Sequence, residues 1–284
     1  MVLSRREFGG GLAAGAAMHR RGAGSQAPPP APAPANEPNL ARILRTKKLR
    51  VAAVAGEEPY FRRDPKSGKW TGFCVAMAQD LAAGLGVEVA LSEVNWADAA
   101  TDLHAGKLDL AYIPGPTVKR AMFADFGTPL FHDAYAILAR KGFAPKSWAE
   151  LDVPESLVAV DEGSAREEAA RRLAGNAAIT GFKTRDEALI AVQSGRADFF
   201  VAIALCALAL LKKNPETGEL IVPTPVLRSA VCPAVPYDSD RRFRGVVDAW
   251  SEDNRGIGRI RNWVMAGLAE SGIAPGDLPP DVSF

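Results

Sequence analysis

Arg120 has the most defined chemical task in this sequence. It closes the run Thr117-Val118-Lys119-Arg120, behind a loop broken by Pro114, Gly115 and Pro116. That loop leaves a short apolar stretch, 108–113, with the composition of a buried strand. Loops at the carboxyl ends of such strands are where open α/β sheets bind ligands. A planar guanidinium placed there can grip a carboxylate with two parallel hydrogen bonds, and Thr117 stands beside it as a second polar group. The competing reading is a surface arginine that caps a turn. A second anion-binding feature lies at Ser164-Ala165, where Ser164 and Glu167 have the spacing of a capping box opening a helix over 166–173. The free N–H groups of a helix start, together with its dipole, attract anions. Groups for turnover are sparse. His104 and His132 have no acid–nucleophile set near them in sequence, and no G-x-S-x-G elbow, phosphate loop or H-E-x-x-H occurs. The adjacent acids Glu57-Glu58, Asp161-Glu162 and Glu167-Glu168 read as solvated loop and helix faces.

These residues need a scaffold that brings 117–120 and 161–165 to one place. Strands are expected at 49–54, 87–91, 108–113, 134–140, 158–160, 199–203 and 226–235. Helices are expected at 74–85, 97–104, 166–173, 186–194 and 204–211, with a final helical segment over 240–263 interrupted near Gly256. In the first of these, Val75, Met77, Ala78, Leu81, Ala82 and Leu85 follow a helical period and Gly86 closes it. Strand and helix in alternation mean βαβ units and a largely parallel sheet. A weak echo, helix then [AS]-G-[KR]-x-D then apolar strand, passes through Gly106 and Asp109 and again through Gly195 and Asp198. It implies two similar α/β lobes with a ligand in the cleft between them, where both sets of strand ends point.

Composition sets the bounds. The 284 residues are 48% hydrophobic and 24% charged with a net charge of +1, ordinary for a globular protein and without the basic surface of a nucleic-acid binder. Cys74, Cys206 and Cys232 have neither metal-ligand spacing nor a CxxC pair, and read as small buried apolar residues. No cofactor or metal is called for. Ser4-Arg5-Arg6-Glu7-Phe8 before a Gly/Ala-rich apolar run resembles a twin-arginine export signal, so 1–27 is set aside as a signal and the mature protein is expected in the periplasm. The Pro-rich stretch 28–39 reads as an extended linker. Lobe 1 is then expected at 40–133 and 229–284 and lobe 2 at 134–228, with hinge strands crossing near 130–134 and 227–231.

The order of motifs carries a resemblance. Pro59-Tyr60, Asp64-Pro65, Gly68 to Phe73, Leu85 to Val87, Trp96 and Gly106 to Asp109 come in sequence, followed by T-x-x-R at Thr117–Arg120, Asp125-Phe126 and, later, D-E-A-L-x-A-V-Q-S-G-R-A-D from Asp186. This resembles family 3 of the bacterial extracellular solute-binding proteins, the polar amino-acid receptors of ABC importers. The resemblance implies an α/β, two-lobed periplasmic-binding-protein fold of type II. It also implies that Arg120 holds a ligand carboxylate, that Ser164 and Ala165 close over it, and that Trp96 packs on the ligand body. A small-molecule ligand, an inner-membrane ABC permease as partner, a monomer and no catalysis follow from the same likeness. Three positions depart from the family: Glu57 replaces an aromatic, Ile203 replaces the acid that takes the ammonium, and Gly115 replaces a polar contact. Either Glu57 or the Asp161/Glu162 pair must then hold an ammonium, since a buried unpaired charge is costly, or the ligand has none; the second reading is preferred. Two alternatives share the scaffold: a periplasmic dehydratase with Glu57 as general acid, and an accessory or sensor module beside a quinoprotein dehydrogenase.

Overall fold

The computed structural model describes residues 37–279. The twin-arginine stretch and most of the Pro-rich linker lie outside them. The chain opens with α1 (Asn39–Thr46) and β1 (Lys48–Ala53), then a small hairpin, β2 (Arg62–Arg63) and β3 (Trp70–Thr71), followed by α2 (Phe73–Leu85), β4 (Glu88–Glu93) and α3 (Trp96–His104). Next come β5 (Ala111–Pro114), the single turn α4 (Val118–Ala121), β6 (Asp125–Phe126) and the long β7 (Phe131–Ala139). The middle of the chain forms α5 (Trp148–Leu151), β8 (Leu157–Asp161), α6 (Ala165–Leu173), β9 (Ala178–Phe182), α7 (Arg185–Gln193), β10 (Phe199–Ile203), α8 (Ala204–Lys213) and β11 (Glu219–Ile221). Strand β12 (Arg228–Val235) and helices α9 (Arg242–Gly256) and α10 (Arg259–Glu270) complete it.

Parallel pairs lie inside each half of the fold: β1 with β4, β10 with β8, and β8 with β9. Apart from the β2–β3 hairpin, every antiparallel pair involves β7 or β12. These two strands pair with each other from Arg228↔Ala134 to Val231↔Phe131. Beyond that segment β7 continues beside β10 and β11, while β12 continues beside β5 and β6. The result is a mixed α/β sheet in which two neighbouring strands pass from one set of partners to another.

Burial follows the strand period. Along β10, Phe199, Val201 and Ile203 pack with Trp148, Val158, Val160 and Ala169, whereas Phe200 and Ala202 pack with Leu189 and Val192 of α7. Both faces are covered, which is why the stretch is apolar at every position. The other half buries Leu49, Val51, Phe73, Met77, Phe131, Phe243 and Val264 in one cluster, to which α8 also contributes Leu205 and Cys206. Helix α8 therefore packs in both halves. The sequence echo is a pair of pins. Buried Asp109 accepts from the backbone N of Arg50 at 2.8 Å and from the Arg42 and Arg50 guanidiniums, and Asp198 accepts from the backbone N of Leu157 at 3.0 Å. Each acid ties the start of its strand to the neighbouring one.

Three expectations shift. The strand assigned to 108–113 forms its ladder only over Ala111–Pro114, with Leu110 joining through a single bridge to Val51. The final helical segment is two helices separated at Gly258, whose φ of +76° suits the glycine. Helix α1 begins at Asn39, inside the assigned linker, because Ile43 finds a buried seat and Arg42 finds Asp109.

Candidate functional site

Four charged side chains meet where the loop after β1 faces α6 and α7. Asp161 ends β8, and two residues later Gly163 turns the chain with φ +74° into α6. Ser164 caps that helix, accepting from the Glu167 backbone N at 3.1 Å, while its own Oγ donates to Asp161 at 2.8 Å. The Glu167 carboxylate answers by accepting from the Gly163 N at 2.8 Å, so the capping box forms with its return bond one residue early. Arg166, second residue of α6, donates from Nε to Asp161 Oδ1 at 3.0 Å and from Nη2 to Asp161 Oδ2. The same guanidinium reaches Glu57 at 3.1 and 3.3 Å. Arg185, at the start of α7, stands 3.5 Å from Glu57, and the Cys206 thiol donates to it at 3.4 Å.

Three of the four are buried, Glu57 at 5% exposed, Arg166 at 5% and Asp161 at 8%, while Arg185 is half-buried. Burial alone would raise the Glu57 carboxyl, but the Arg166 and Arg185 charges and the Arg166 hydrogen bonds outweigh it and hold it below the usual range. Asp161 is lowered by the same contest, burial against Arg166 and the Ser164 hydroxyl. Arg166 is pushed the other way, well above its ordinary value, because two acids outweigh its desolvation. Glu57, Asp161 and Arg166 thus each favour the charged form.

Arg120 differs. It sits in the turn α4, whose N-cap Thr117 accepts from its backbone N at 3.3 Å. It is 7% exposed, and its guanidinium donates to the carbonyls of Pro114 at 2.8 Å and Gly115 at 3.2 Å. Among the described residues no carboxylate stands within ion-pairing distance of it. Desolvation is the largest influence on it, and the net shift is downward. Gly115 has φ +72°, and a Cβ there would lie 2.9 Å from the Ala165 Cβ, so the Arg120 loop and the start of α6 close on each other.

Beside the cluster lies a cavity of about 470 Å³ lined by Gly56, Glu57, Trp96, Asp161, Ser164 and Arg185, among others. Trp96 opens α3 behind the Asn95 cap and is half-buried; its indole N–H has no hydrogen-bond partner among the described residues, nor has Arg185 Nε. Ile203 lies in the second core instead, against a void of only about 10 Å³ shared with Arg166, Arg185 and Cys206.

Residues 49–217 match the family model described as bacterial extracellular solute-binding proteins, family 3, over more than half of the chain. The chain belongs to that family. It is similar to the cyclohexadienyl dehydratase of Pseudomonas aeruginosa, 26% identical over 229 residues that cover 76% of this chain and 81% of that protein. It is also similar to the L-cystine-binding protein TcyJ of Escherichia coli, 28% identical over 180 residues, 63% of this chain and 67% of the other. Among solved structures, the ancestral amino acid-binding protein AncCDT-1, described as a precursor of cyclohexadienyl dehydratase, superposes with a TM-score of 0.69 at 28% identity, covering 79% of this chain and 96% of that one. The type II periplasmic-binding-protein fold is shared with these neighbours.

Within this family member the expected site residues divide. Glu57, Trp96 and Ser164 line one cavity, and Arg120, Thr117 and Ala165 gather next to it around Gly115 without Arg120 lining the cavity itself. Ile203 is core. The reading of Glu57 and Asp161 as solvated acids is corrected: both are buried, because Arg166 lies between them. Arg166 and Arg185 escaped the sequence reading. One signal for them was present. Each is a cation in the first turn of a helix, against the helix dipole, a placement that demands nearby acids.

Proposed function

We propose that this protein is an exported receptor that closes around a small carboxylate-bearing solute and delivers it to an ABC permease. The supporting observation is Arg120, a buried guanidinium held, among the described residues, by backbone carbonyls alone. A cation removed from water without an anion is costly, and a solute carboxylate would relieve that cost. Ser164 and Ala165 approach the same loop from the other lobe, and Trp96 offers an unpartnered donor and a flat face to the ligand body. The lobes are read as 40–133 with 229–284 and 134–228, hinged where β7 and β12 pair, which would let 115–120 and 164–165 separate to admit solute. The S-R-R-x-F sequence supports export to the periplasm, and the chain is read as a monomer.

Arg120→Ala is expected to weaken binding of the solute by roughly 2–5 kcal/mol, about 30- to 5,000-fold. Calorimetry on the wild type and this variant, after a thermal-shift screen of organic and amino acids, measures it; unchanged affinity would remove Arg120 from the site.

The likeness to a dehydratase favours testing a second reading, turnover in the same cleft. Its general acid would be Glu57, yet that carboxyl is held below its ordinary range and has no proton to donate. We therefore read the chain as a binder rather than an enzyme, and mass spectrometry of the bound solute after prolonged incubation should find it unchanged.

A further inference from the structure

We propose that Arg166 is the specificity-determining residue of the cleft, a built-in guanidinium that takes up Glu57 and Asp161 and so bars solutes carrying a cationic group. This rests on the receptor reading above and names the class of solute: a carboxylate without an α-ammonium.

The geometry carries it in three steps. First, the two buried acids on the cavity lining are Glu57 and Asp161, and both are engaged by one side chain, Arg166, with Arg185 adding a second cation beside Glu57. A solute ammonium arriving there would have to displace a bidentate guanidinium, the stronger carboxylate partner. The remaining acids on the lining, Glu162 and Asp186, are exposed, where water screens their charge. Second, among the described residues the buried cations Arg120 and Arg166 match the buried acids Glu57 and Asp161, and the half-buried Arg185 beside Glu57 adds one further cation to this face. One solute carboxylate balances them; a zwitterion does not. Third, the buried side-chain polar atoms on the cavity lining that have no partner among the described residues, Trp96 Nε1 and Arg185 Nε, are donors. Donors without partners select an acceptor-rich anion.

The test compares L-2-hydroxypentanoate with L-norvaline, which differ only in hydroxyl against ammonium, by calorimetry on the wild type, Arg166→Ala and Glu57→Gln. Wild-type protein is expected to bind the hydroxy acid at least tenfold tighter. In Arg166→Ala that preference should fall at least tenfold, and ethylguanidinium should raise the melting temperature of this variant while leaving the wild type unmoved. Glu57→Gln keeps the side-chain shape and removes one acid; it should widen the wild-type preference at least threefold, so the proposal stays falsifiable if Arg166→Ala does not fold. Norvaline bound as tightly as the hydroxy acid, with that binding lost in Arg120→Ala, overturns the inference and leaves the receptor reading standing. Neither acid bound by wild type, together with no response of any variant, counts against both.

Discussion

Arg120 and Arg166 are the same side chain, buried to the same degree on opposite sides of one closing contact, yet they are solvated by the protein in opposite ways. Arg166 has two carboxylates and a net upward shift; Arg120 has two carbonyls and a net downward one. A carbonyl dipole compensates part of a buried charge, and a carboxylate compensates nearly all of it. The Arg166 cluster is therefore complete as it stands and joins the loop after β1 to α6. On the receptor reading proposed above, the Arg120 site is completed by an anion from outside. The contrast teaches that burial of a cation is not itself the mark of a binding residue; the deciding feature is what satisfies it.

Breaking the complete site should have the largest effect on the empty protein. Arg166→Ala leaves Glu57 and Asp161 facing each other in the interior with only Arg185 nearby, and loss of one partner from a buried ion pair costs about 3–5 kcal/mol. Chemical denaturation at pH 7 measures it. Both acids have folded-state values below their unfolded ones, so the stability they contribute is present above about pH 4 and drains away below it. The cost of Arg166→Ala should accordingly shrink at pH 3. A variant as stable as wild type would show that the cluster is not needed to hold the two halves together.

Asp133 sharpens the comparison from the acidic side. It is fully buried on β7, opposite Ser229 of β12, and accepts from the Tyr60 hydroxyl and the Ala134 backbone N, both at 2.8 Å, with no cation paired to it among the described residues. Burial pushes its carboxyl up to about 7. The folded state then holds a proton that the unfolded chain has released, so stability falls as pH rises from about 4 to 7. The direction is opposite to that of Glu57 and Asp161. Asp133→Asn should remove this slope and stabilise the protein at pH 8 by roughly 2–4 kcal/mol relative to its effect at pH 4. Urea midpoints across that range read it, and parallel curves for the two proteins would mean Asp133 stays ionised.

Much of this fold was legible and part of the site was not, for a common reason. Phe199–Ile203, apolar at five consecutive positions between Asp198 and a helix, has the length and composition of a strand covered on both faces, and it is one. The Arg120 loop announced itself because its residues are adjacent in sequence. Glu57, Asp161, Arg166 and Arg185 come together from separate segments, and nothing in Glu57-Glu58 distinguishes the acid that will be buried from the one that pairs with Lys213 near the surface. Helix α1 was hidden by the proline run before it, and β9 and β11 because alternately exposed short strands carry little pattern.

The smallest expected change comes from Arg120→Ala in solute-free protein. The substitution forfeits two charge-assisted bonds, to Pro114 and Gly115, each worth about 1.5–3 kcal/mol, and returns no acid to isolation. Against that loss stands the relief of a desolvated, unpaired cation, several kcal/mol in the other direction. The two nearly cancel, and the net shift in unfolding free energy should lie within about 1 kcal/mol of zero. Solute-bound wild type, by contrast, should gain roughly 2.7 kcal/mol at a solute concentration of 100 times its Kd, and the variant should lose that gain. Thermal melts with and without solute separate the outcomes. A loss in the empty protein comparable to that of Arg166→Ala would make Arg120 a structural cation, and the distinction between a site that is filled and a site that waits would disappear.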